Sequence, residues 1–481
     1  MVRLSVLPAA LCLAISGSAL AQVEVTTLAP PDLFSTPVGP DTGLGSDLWR
    51  GTSPAILRDA LPKISAKGLS PATQNLARRL LSTGASGPDG VGNDPALGAA
   101  RVQGLLALGE AEGAAAILRR APNLSSSSAL SQAAAESALI VGDDGRACAI
   151  ADAVTENRGN PYWLRLRAFC QATGGQVEAA QLTLTLATAQ EPKGSAYPRL
   201  MGALIAGAGN PGDASLKSGV EYALSRKLGL NMDAARANAS PAIAAHLSVP
   251  AAPPELAAGD LTAAETSALA FLRRTKGIVA FTEASVSTRP VIVALVGARA
   301  PLQDPLLFIR AAVAAGDVDA ARAIRSDLVS DSAASADDMA LIDALIAAAS
   351  GQADGPTLDR LVERGAQGGA KSPAQPAAMI LWALAPAEGV SMSAQARGEF
   401  AAFEGPRSSA SPARLAALDQ ASAAGLKGET GLLALSVAAD AGIGNFSSAD
   451  RARVVRALNR AGLTADARAF AAEGILTLQI K

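Results

Sequence analysis

The chain has 481 residues, a formal net charge of −2 at pH 7 and a charged fraction of 17%. This balance disfavours a nucleic-acid partner, because such binding needs a basic stripe that displaces counterions. Single cores stop growing at about 250 to 300 residues, so the length predicts several domains or an elongated repeat array. Beyond the N-terminal segment, the longest uncharged apolar run, at 291–298, is too short to span a bilayer. We therefore expect no transmembrane anchor.

The first 21 residues predict a signal peptide. Arg3 is followed by an apolar run at 4–15 and then by small residues that include Ala19 and Ala21. A basic start, a short apolar core and small residues before a cleavage site are typical of secretory signals. We expect cleavage after Ala21 and a periplasmic mature chain that starts at Gln22.

Residues 22–52 predict an extended arm, because prolines and glycines are dense there and apolar periodicity is absent. Trp49 and Arg50 end this arm and are candidates for partner contacts. The alternative for Trp49 is a packing role that fixes the arm to the body. Regular structure is expected to begin at Ser53 and Pro54, since serine caps helices and proline suits their first turn.

A repeated pattern follows between residues 96 and 190. Three glycines, spaced by 33 and 32 residues, each close an apolar helical segment: Gly109, Gly142 and Gly174. Alanine follows five positions later, at Ala114, Ala147 and Ala179, and a large aliphatic residue follows eight positions later, at Ile117, Ile150 and Leu182. The pattern recurs at Gly316, with Ala321 and Ile324, and at Gly462, with Ala467 and Phe470. A small residue at a fixed offset allows two helices to approach closely, so the pattern predicts helical hairpins that stack.

The stretch from Leu105 to Ile117 resembles the tetratricopeptide repeat, a helical hairpin of about 34 residues. The resemblance covers about a third of the chain, and the Trp and Tyr positions of the family are mostly absent. It implies an all-α fold, an α-solenoid of antiparallel helix hairpins. It also implies a concave face that binds peptides or partner proteins.

Breaks in the pattern at 207–212, 250–254, 365–376 and 405–406 are candidate linkers. They predict helical repeats at 53–250, further helical repeats at 251–370 and a C-terminal helical module at 371–481.

Few residues are suited to chemistry. His246 is the single histidine, and no GxSxG motif offers a nucleophile, so we expect His246 to be structural. One histidine and two distant cysteines also lack the ligand spacing of a zinc site. The acid pairs Asp143-Asp144 and Asp337-Asp338 would suit glycoside hydrolysis, but acids also mark helix starts, and only 3% of the residues are aromatic. We predict no catalytic, cofactor or metal site.

The segment 160–167 combines aromatic residues with arginines, which are typical of interface hot spots. Trp163 is expected in the core, whereas Arg165 and Arg167 are candidates for an exposed partner face. Cys148 and Cys170 remain after signal removal. The repeat resemblance places them on neighbouring helices, which predicts a disulfide. The alternative is a pair of buried free thiols.

These observations predict an exported periplasmic scaffold or adaptor that binds a protein partner through a helical-repeat surface. One alternative is a cell-wall-associated enzyme or enzyme accessory, because helical superhelices form the non-catalytic part of some soluble lytic transglycosylases. No segment resembles their catalytic domain. Another alternative is a subunit of a larger envelope assembly.

Overall fold

The computed structural model describes residues 32–91, 94–121, 124–207, 209–248, 260–328, 335–386, 389–403, 405 and 407–480. The predicted signal peptide and the first part of the predicted arm, 22–31, lie outside these residues. Within them the regular structure is entirely helical, with no strand, which confirms the all-α class.

The α-helices follow one another along the whole described chain. The first eleven are α1 (Pro54–Ala66), α2 (Pro71–Ser82), α3 (Pro95–Ala107), α4 (Ala111–Arg120), α5 (Ser128–Val141), α6 (Asp144–Ala153), α7 (Pro161–Thr173), α8 (Val177–Thr188), α9 (Tyr197–Ala206), α10 (Gly219–Lys227) and α11 (Pro241–Leu247). They are followed by α12 (Leu261–Arg273), α13 (Gly277–Gly297), α14 (Pro305–Ala314), α15 (Val318–Asp327), α16 (Ala336–Ser350), α17 (Gly355–Gly368), α18 (Ala374–Trp382), α19 (Ala394–Ala401), α20 (Pro412–Ala423), α21 (Lys427–Ala441), α22 (Ser448–Arg460) and α23 (Thr464–Thr477). Short 3₁₀ turns lie at Leu124–Ser126, Ala234–Asn238 and Gly369–Lys371.

The turns between consecutive helices follow the glycine pattern in the sequence. Four of the five repeat glycines have left-handed φ values of 83°, 86°, 76° and 80°, at Gly109, Gly142, Gly316 and Gly462. In the first of these turns Glu110 N donates to Leu105 O at 2.9 Å, the bond that closes a Schellman motif. The alanines five positions after these glycines are fully buried, at Ala114, Ala147, Ala321 and Ala467.

The third copy differs by one residue. Gly174 has a φ of −85°, and Gly175 takes the left-handed conformation instead, with a φ of 77°. The buried alanine five positions later is accordingly Ala180, whereas Ala179 is exposed. The predicted aliphatic position, Leu182, is 68% exposed. The expected glycine and alanine positions in this copy are therefore wrong by one residue, because either glycine of the doublet can close the helix, and the expected aliphatic position at Leu182 is wrong because this side chain is exposed.

The two ends of the chain pack together. α1 packs against α21, and α2 packs against both α21 and α23. Ser53 begins α1 as predicted, but its hydroxyl makes no capping bond. Instead, Ser53 N donates to Glu429 Oε2 of α21 at 2.7 Å, and Ala72 N of α2 donates to Glu473 Oε2 of α23 at 2.7 Å. Carboxylates suit these positions because a helix N-terminus carries partial positive charge.

Buried apolar residues form two large clusters. The first, the main core, takes residues from α1 to α5 and from α12 to α23, together with residues of the arm. The other, the second core, lies between α5 and α10 and contains Trp163, Phe169 and Tyr197. α5 contributes to both cores. The predicted boundary near 250 falls in undescribed residues, and the boundary near 370 falls between α17 and α18, which pack against each other.

The described part of the arm, 32–52, has no helix, yet it is packed into the main core. Phe34 and Trp49 are 0% and 1% exposed, and their rings meet edge to face with centroids 5.9 Å apart. Two glycines in helices provide the space for the arm. Leu33 lies against Gly98 of α3. The Leu48 carbonyl lies so close to Gly428 of α21 that a Cβ added to this glycine would be only 2.5 Å from the carbonyl oxygen. The arm is therefore packed as part of the main core.

Arg101, which is fully buried, holds the arm to the end of α2. Its guanidinium donates to Leu33 O at 2.7 Å and to Thr36 O at 2.8 Å in the arm, and to Leu81 O at 2.7 Å at the end of α2. These carbonyls are acceptors that a buried loop and a helix C-terminus leave without helical partners. Burial lowers the pKa of Arg101 to about 10, so it remains charged at neutral pH.

Among the described helices, α13 alone is long and apolar enough to cross a membrane, by length and composition. It contains Glu283, Arg289 and Pro290. Eight of its 21 residues are buried in the fold. A core helix passes the same test of composition, and α13 packs against α12, α14, α15 and α23.

Candidate binding cleft

A cleft of about 1050 Å³ lies where α2, α11, α13, α14 and α23 meet. Its lining comes from segments that are far apart in the sequence, for example Ala72, Ala244, Val286, Val313 and Ala469. The packing of the N-terminal helix α2 against the C-terminal helix α23 brings these segments together. The site therefore depends on the contact between the two ends of the chain.

The walls of the cleft combine apolar side chains, many of them small, with polar and charged ones. α23 contributes Ala465, Ala469, Ala472 and Leu476, which are spaced by four, three and four residues. This spacing keeps all four on one face of the helix. Because three of the four are alanines, α23 forms a shallow wall and leaves room in front of it.

The second wall is α13. Val279 and Val286 contribute apolar surface, and Val286 is 56% exposed. Exposed apolar side chains that are grouped in a concave surface mark binding sites more often than scattered ones do.

Charged side chains lie on the lining beside this apolar surface. Glu283 of α13 is exposed and forms no ion pair with the part of the chain that the structure describes. Arg468 of α23 lies against Gly351, at the end of α16. Arg236 lies in the 3₁₀ turn before α11, 3.5 Å from Asp233. The lining therefore offers an acidic position on one wall and basic positions on two other segments.

A buried ion pair stabilises the helices behind the cleft. Arg451 Nη1 lies 3.1 Å from Glu473 Oε1, and both side chains are about 5% exposed. The Arg451 guanidinium also lies over the Phe446 ring, 4.6 Å from its centroid. Burial lowers the pKa of Arg451, and the charge of Glu473 opposes that shift. Because Glu473 also accepts from Ala72 N, one carboxylate joins α2, α22 and α23.

A smaller cavity of about 400 Å³ contains three arginines, but these are used within the fold. Arg325 Nε and Arg360 Nη1 lie 2.6 and 3.2 Å from the carboxylate of Asp343. Arg322 Nη2 donates to Gln352 Oε1 at 3.1 Å. An anionic ligand would have to compete with these contacts, so the larger apolar cleft is the stronger candidate site.

The structure places the predicted partner-binding arginines of α7 outside the cleft. Arg165 is paired with Glu191. The backbone carbonyl of Arg165 also accepts from Tyr197 Oη at 3.1 Å. Arg167 donates through its side chain to the carbonyls of Trp163 and Arg158. Both arginines thus support the loops around the second core. The predicted core position of Trp163 agrees with its complete burial.

Trp49 and Arg50 are also placed away from the cleft. Trp49 is 1% exposed, which is the packing role considered as its alternative. Arg50 is largely exposed and pairs with Asp47 at 2.7 Å.

The two cysteines lie on adjacent helices, Cys148 on α6 and Cys170 on α7. They are joined by a disulfide in the structure, with Cα atoms 5.6 Å apart. Their side chains pack at the edge of the second core. The fold therefore has the geometry that the predicted disulfide needs.

The residues considered for catalysis have structural surroundings. His246 is exposed on α11, and its ring centroid lies 6.3 Å from that of Tyr222.

The acid pairs lie at helix starts. Asp143 caps α6 by accepting from Arg146 N at 3.0 Å, while Asp144 lies 2.6 Å from Arg226 Nη2. Asp338 lies in the first turn of α16, where its N–H donates to Ser335 Oγ at 3.1 Å. Within the described residues, no group of three or more His, Cys, Asp or Glu side chains is arranged to hold a metal ion.

Comparison of the chain with known protein families, characterised proteins and solved structures finds no match. The candidate function therefore rests on the cleft. Its residues could not be found from the sequence, because small apolar residues at helical spacing look the same on a buried face and on an open one. The position of the exposed Val286 in a concave surface is visible only once the fold is known.

Proposed function

We propose that the protein is an exported, periplasmic scaffold or adaptor that binds a protein partner of the cell envelope in this cleft. The observation that carries the proposal is the cleft of about 1050 Å³, which segments far apart in the sequence line with apolar and polar side chains. Small-molecule sites are typically about 300 to 1,000 Å³ and combine apolar walls with a few convergent polar groups. This cleft is at the upper end of that range, and 12 of its 26 lining residues are Ala or Val. A macromolecular side-chain surface suits it better than a small polar substrate.

We further propose that the pairs α3–α4, α5–α6, α7–α8, α14–α15 and α22–α23 are tetratricopeptide-like hairpins of a solenoid-type arrangement. Support comes from the left-handed glycine that follows the first helix of each pair. It also comes from the buried alanine five positions after that glycine. Such hairpins present extended surfaces for partner proteins.

Substitutions at two valines of the same helix test the binding site. Val286 and Val293 are 56% and 50% exposed and lie seven residues apart on α13, but only Val286 lines the cleft. Val286→Arg places a charge in the cleft and is expected to reduce recovery of a stoichiometric partner from envelope extract at least tenfold. Val293→Arg is the matched control and is expected to retain the partner. Equal recovery with both variants would contradict the proposed site.

An enzymatic assay separates the proposal from its main alternative. The mature protein is incubated with muropeptides, and the products are separated by chromatography. We expect no digestion, together with recovery of a partner that depends on Val286. Digestion without such a partner would overturn the scaffold and favour a cell-wall enzyme.

A further inference from the structure

We infer that the occupant of the cleft is an amphipathic α-helix of about three turns, contributed by the partner. This inference rests on the proposed function and specifies the form in which the partner enters. It follows from three features of the cleft: the arrangement of side chains on its two long walls, its size and its charges.

The two long walls present the surface pattern on which helices pack. The lining residues of α23 form two rows with a spacing of four: Ala465, Ala469 and Glu473, and Arg468, Ala472 and Leu476. The lining residues of α13 form two rows with the same spacing: Ile278, Thr282 and Val286, and Val279, Glu283 and Ser287. Rows spaced by four are the ridges of helix packing, and the grooves between them accept the ridges of another helix. Because α13 and α23 also pack against each other, their rows form the two sides of one groove, into which the ridge of a further helix can pack.

The size of the cleft agrees with such an occupant. The lining of α23 spans residues 465 to 476, about 16 Å of helix at a rise of 1.5 Å per residue. A helix of that length and about 10 Å in diameter occupies roughly 1,250 Å³, close to the volume of the cleft. An extended peptide would cover the same length with about five residues, which provide fewer side chains to fill the space. Because three of the four apolar residues that α23 contributes are alanines, bulky apolar side chains that fill the cleft must come from the occupant.

The charges on the lining specify the polar positions of the occupant. Glu283 on α13 calls for a basic residue, and Arg468 on α23 calls for an acidic one. These two charges lie on two different helices that adjoin along the cleft, so a helix that satisfies both carries its acid and its base at separate positions beside its apolar stripe. Charge complementarity of this kind fixes orientation more than it adds affinity.

The test uses the partner segment itself as the probe. A photoreactive benzoylphenylalanine replaces Val286 in the full-length mature protein, and the cross-linked segment is identified by mass spectrometry. The cross-linker is then moved to Val279 and to Ala469. Adducts on the partner are expected to recur at intervals of three or four residues. Adducts at every second residue would indicate an extended segment and would overturn the inference.

Synthetic peptides of the cross-linked segment give a second measurement. Replacing a central residue outside the apolar stripe by proline is expected to weaken binding at least about thirtyfold, because proline disrupts a helix interior. Alanine at the same position is the matched control and is expected to change binding less than about threefold. Equal weakening by proline and alanine, or none by either, would contradict a helical occupant.

A charge exchange tests the polarity of the occupant. Glu283→Lys is expected to weaken binding of the peptide roughly threefold, and changing the facing basic residue of the peptide to Glu is expected to restore it. Absence of any adduct at Val286 would instead contradict the proposed function. A partner captured at Val286 through a non-helical segment would leave that function intact and refute only this inference.

Discussion

The main core and the second core hold alanine-rich helices together in different ways. In the main core, Glu473 of the buried Arg451–Glu473 pair joins the two ends of the chain, the buried charge of Arg101 holds the arm to α2, and glycines receive the arm. The second core is more local, and it combines Trp163, Phe169 and Tyr197 with the disulfide between α6 and α7. Alanine buries little apolar area, so each region needs an additional source of stability. The comparison shows that distant segments are fixed by buried polar groups, and neighbouring helices by aromatic packing and a covalent link.

The largest effect is expected for Arg101→Met in the main core. The substitution leaves buried carbonyls of the arm and of α2 without a donor, which is expected to lower the free energy of unfolding by about 3 to 5 kcal/mol. Urea denaturation of the mature protein measures this change. Arg58→Met is the control, because Arg58 is 55% exposed in its pair with Asp94 and is expected to change stability by about 0.5 kcal/mol or less. Similar effects of the two variants would show that the arm is not held by Arg101.

Removal of the disulfide is expected to destabilise the second core selectively. The cysteines are 22 residues apart, and the chain-entropy relation gives about 3 kcal/mol for closing a loop of this size. The double variant Cys148→Ala, Cys170→Ala should increase amide hydrogen exchange in α6, α7 and α8, with little change in α22 and α23. Quantitative alkylation of both cysteines in the unreduced, unfolded protein would refute the bond.

The close contact between the arm and α21 is tested by Gly428→Ala. An added Cβ would lie 2.5 Å from the Leu48 carbonyl and 2.8 Å from Cε3 of Trp49, so either the arm or the helix must move. We expect a loss of about 1 to 3 kcal/mol in unfolding free energy. Gly398→Ala in α19 is the matched control, since no atom lies within 4 Å of its added Cβ. There, alanine should stabilise the helix by about 0.5 to 1 kcal/mol. Thermal denaturation separates the two outcomes.

The smallest effect concerns Glu136 of α5, which is half-buried beside the second core. Its Oε2 accepts from Gly219 N at 2.8 Å, and burial raises the pKa of its carboxyl group, with the charge of Glu221 adding to the rise. A raised pKa in the folded state means that folding favours the protonated form. The resulting stabilisation is complete below the ordinary pKa of the carboxyl group and is lost as the pH rises through the raised value.

Glu136→Gln should remove this part of the pH dependence. The measurement is the free energy of unfolding as a function of pH for the variant and the unaltered protein. The difference between the two curves should change across the interval between the ordinary and the raised pKa. If the difference in unfolding free energy between the two proteins did not change with pH, the pKa of Glu136 would not be raised in the folded state.

Local features of this molecule could be predicted from the sequence, because they depend on neighbouring residues. Pro54 starts a helix and Gly142 ends one for reasons of backbone geometry alone. The doublet Gly174-Gly175 shows the limit of such predictions. Both residues tolerate the left-handed conformation, so the sequence does not indicate which of them ends the helix.

The arm and the cleft could not be predicted in the same way. The arm lacks periodicity, so nothing in its sequence indicates that Phe34 is buried or that Arg101 binds its carbonyls. The cleft depends on contacts between α2 and α23, which lie at opposite ends of the chain. Breaks in apolar periodicity near 250 and 370 mark loops, but they do not show which helices pack across them.

The carboxylates at the first two helices have a consequence for the order in which the protein folds. The bonds from Ser53 N to Glu429 and from Ala72 N to Glu473 join residues that are 376 and 401 positions apart. As the chain emerges from its N-terminus, α1 and α2 are present long before α21 and α23. They can pack against α3 early, but the apolar surfaces that α21 and α23 cover stay open until these late helices follow, and pairing across such separations is slow. A chain that stops before residue 427 therefore lacks the helices that complete its own N-terminal region.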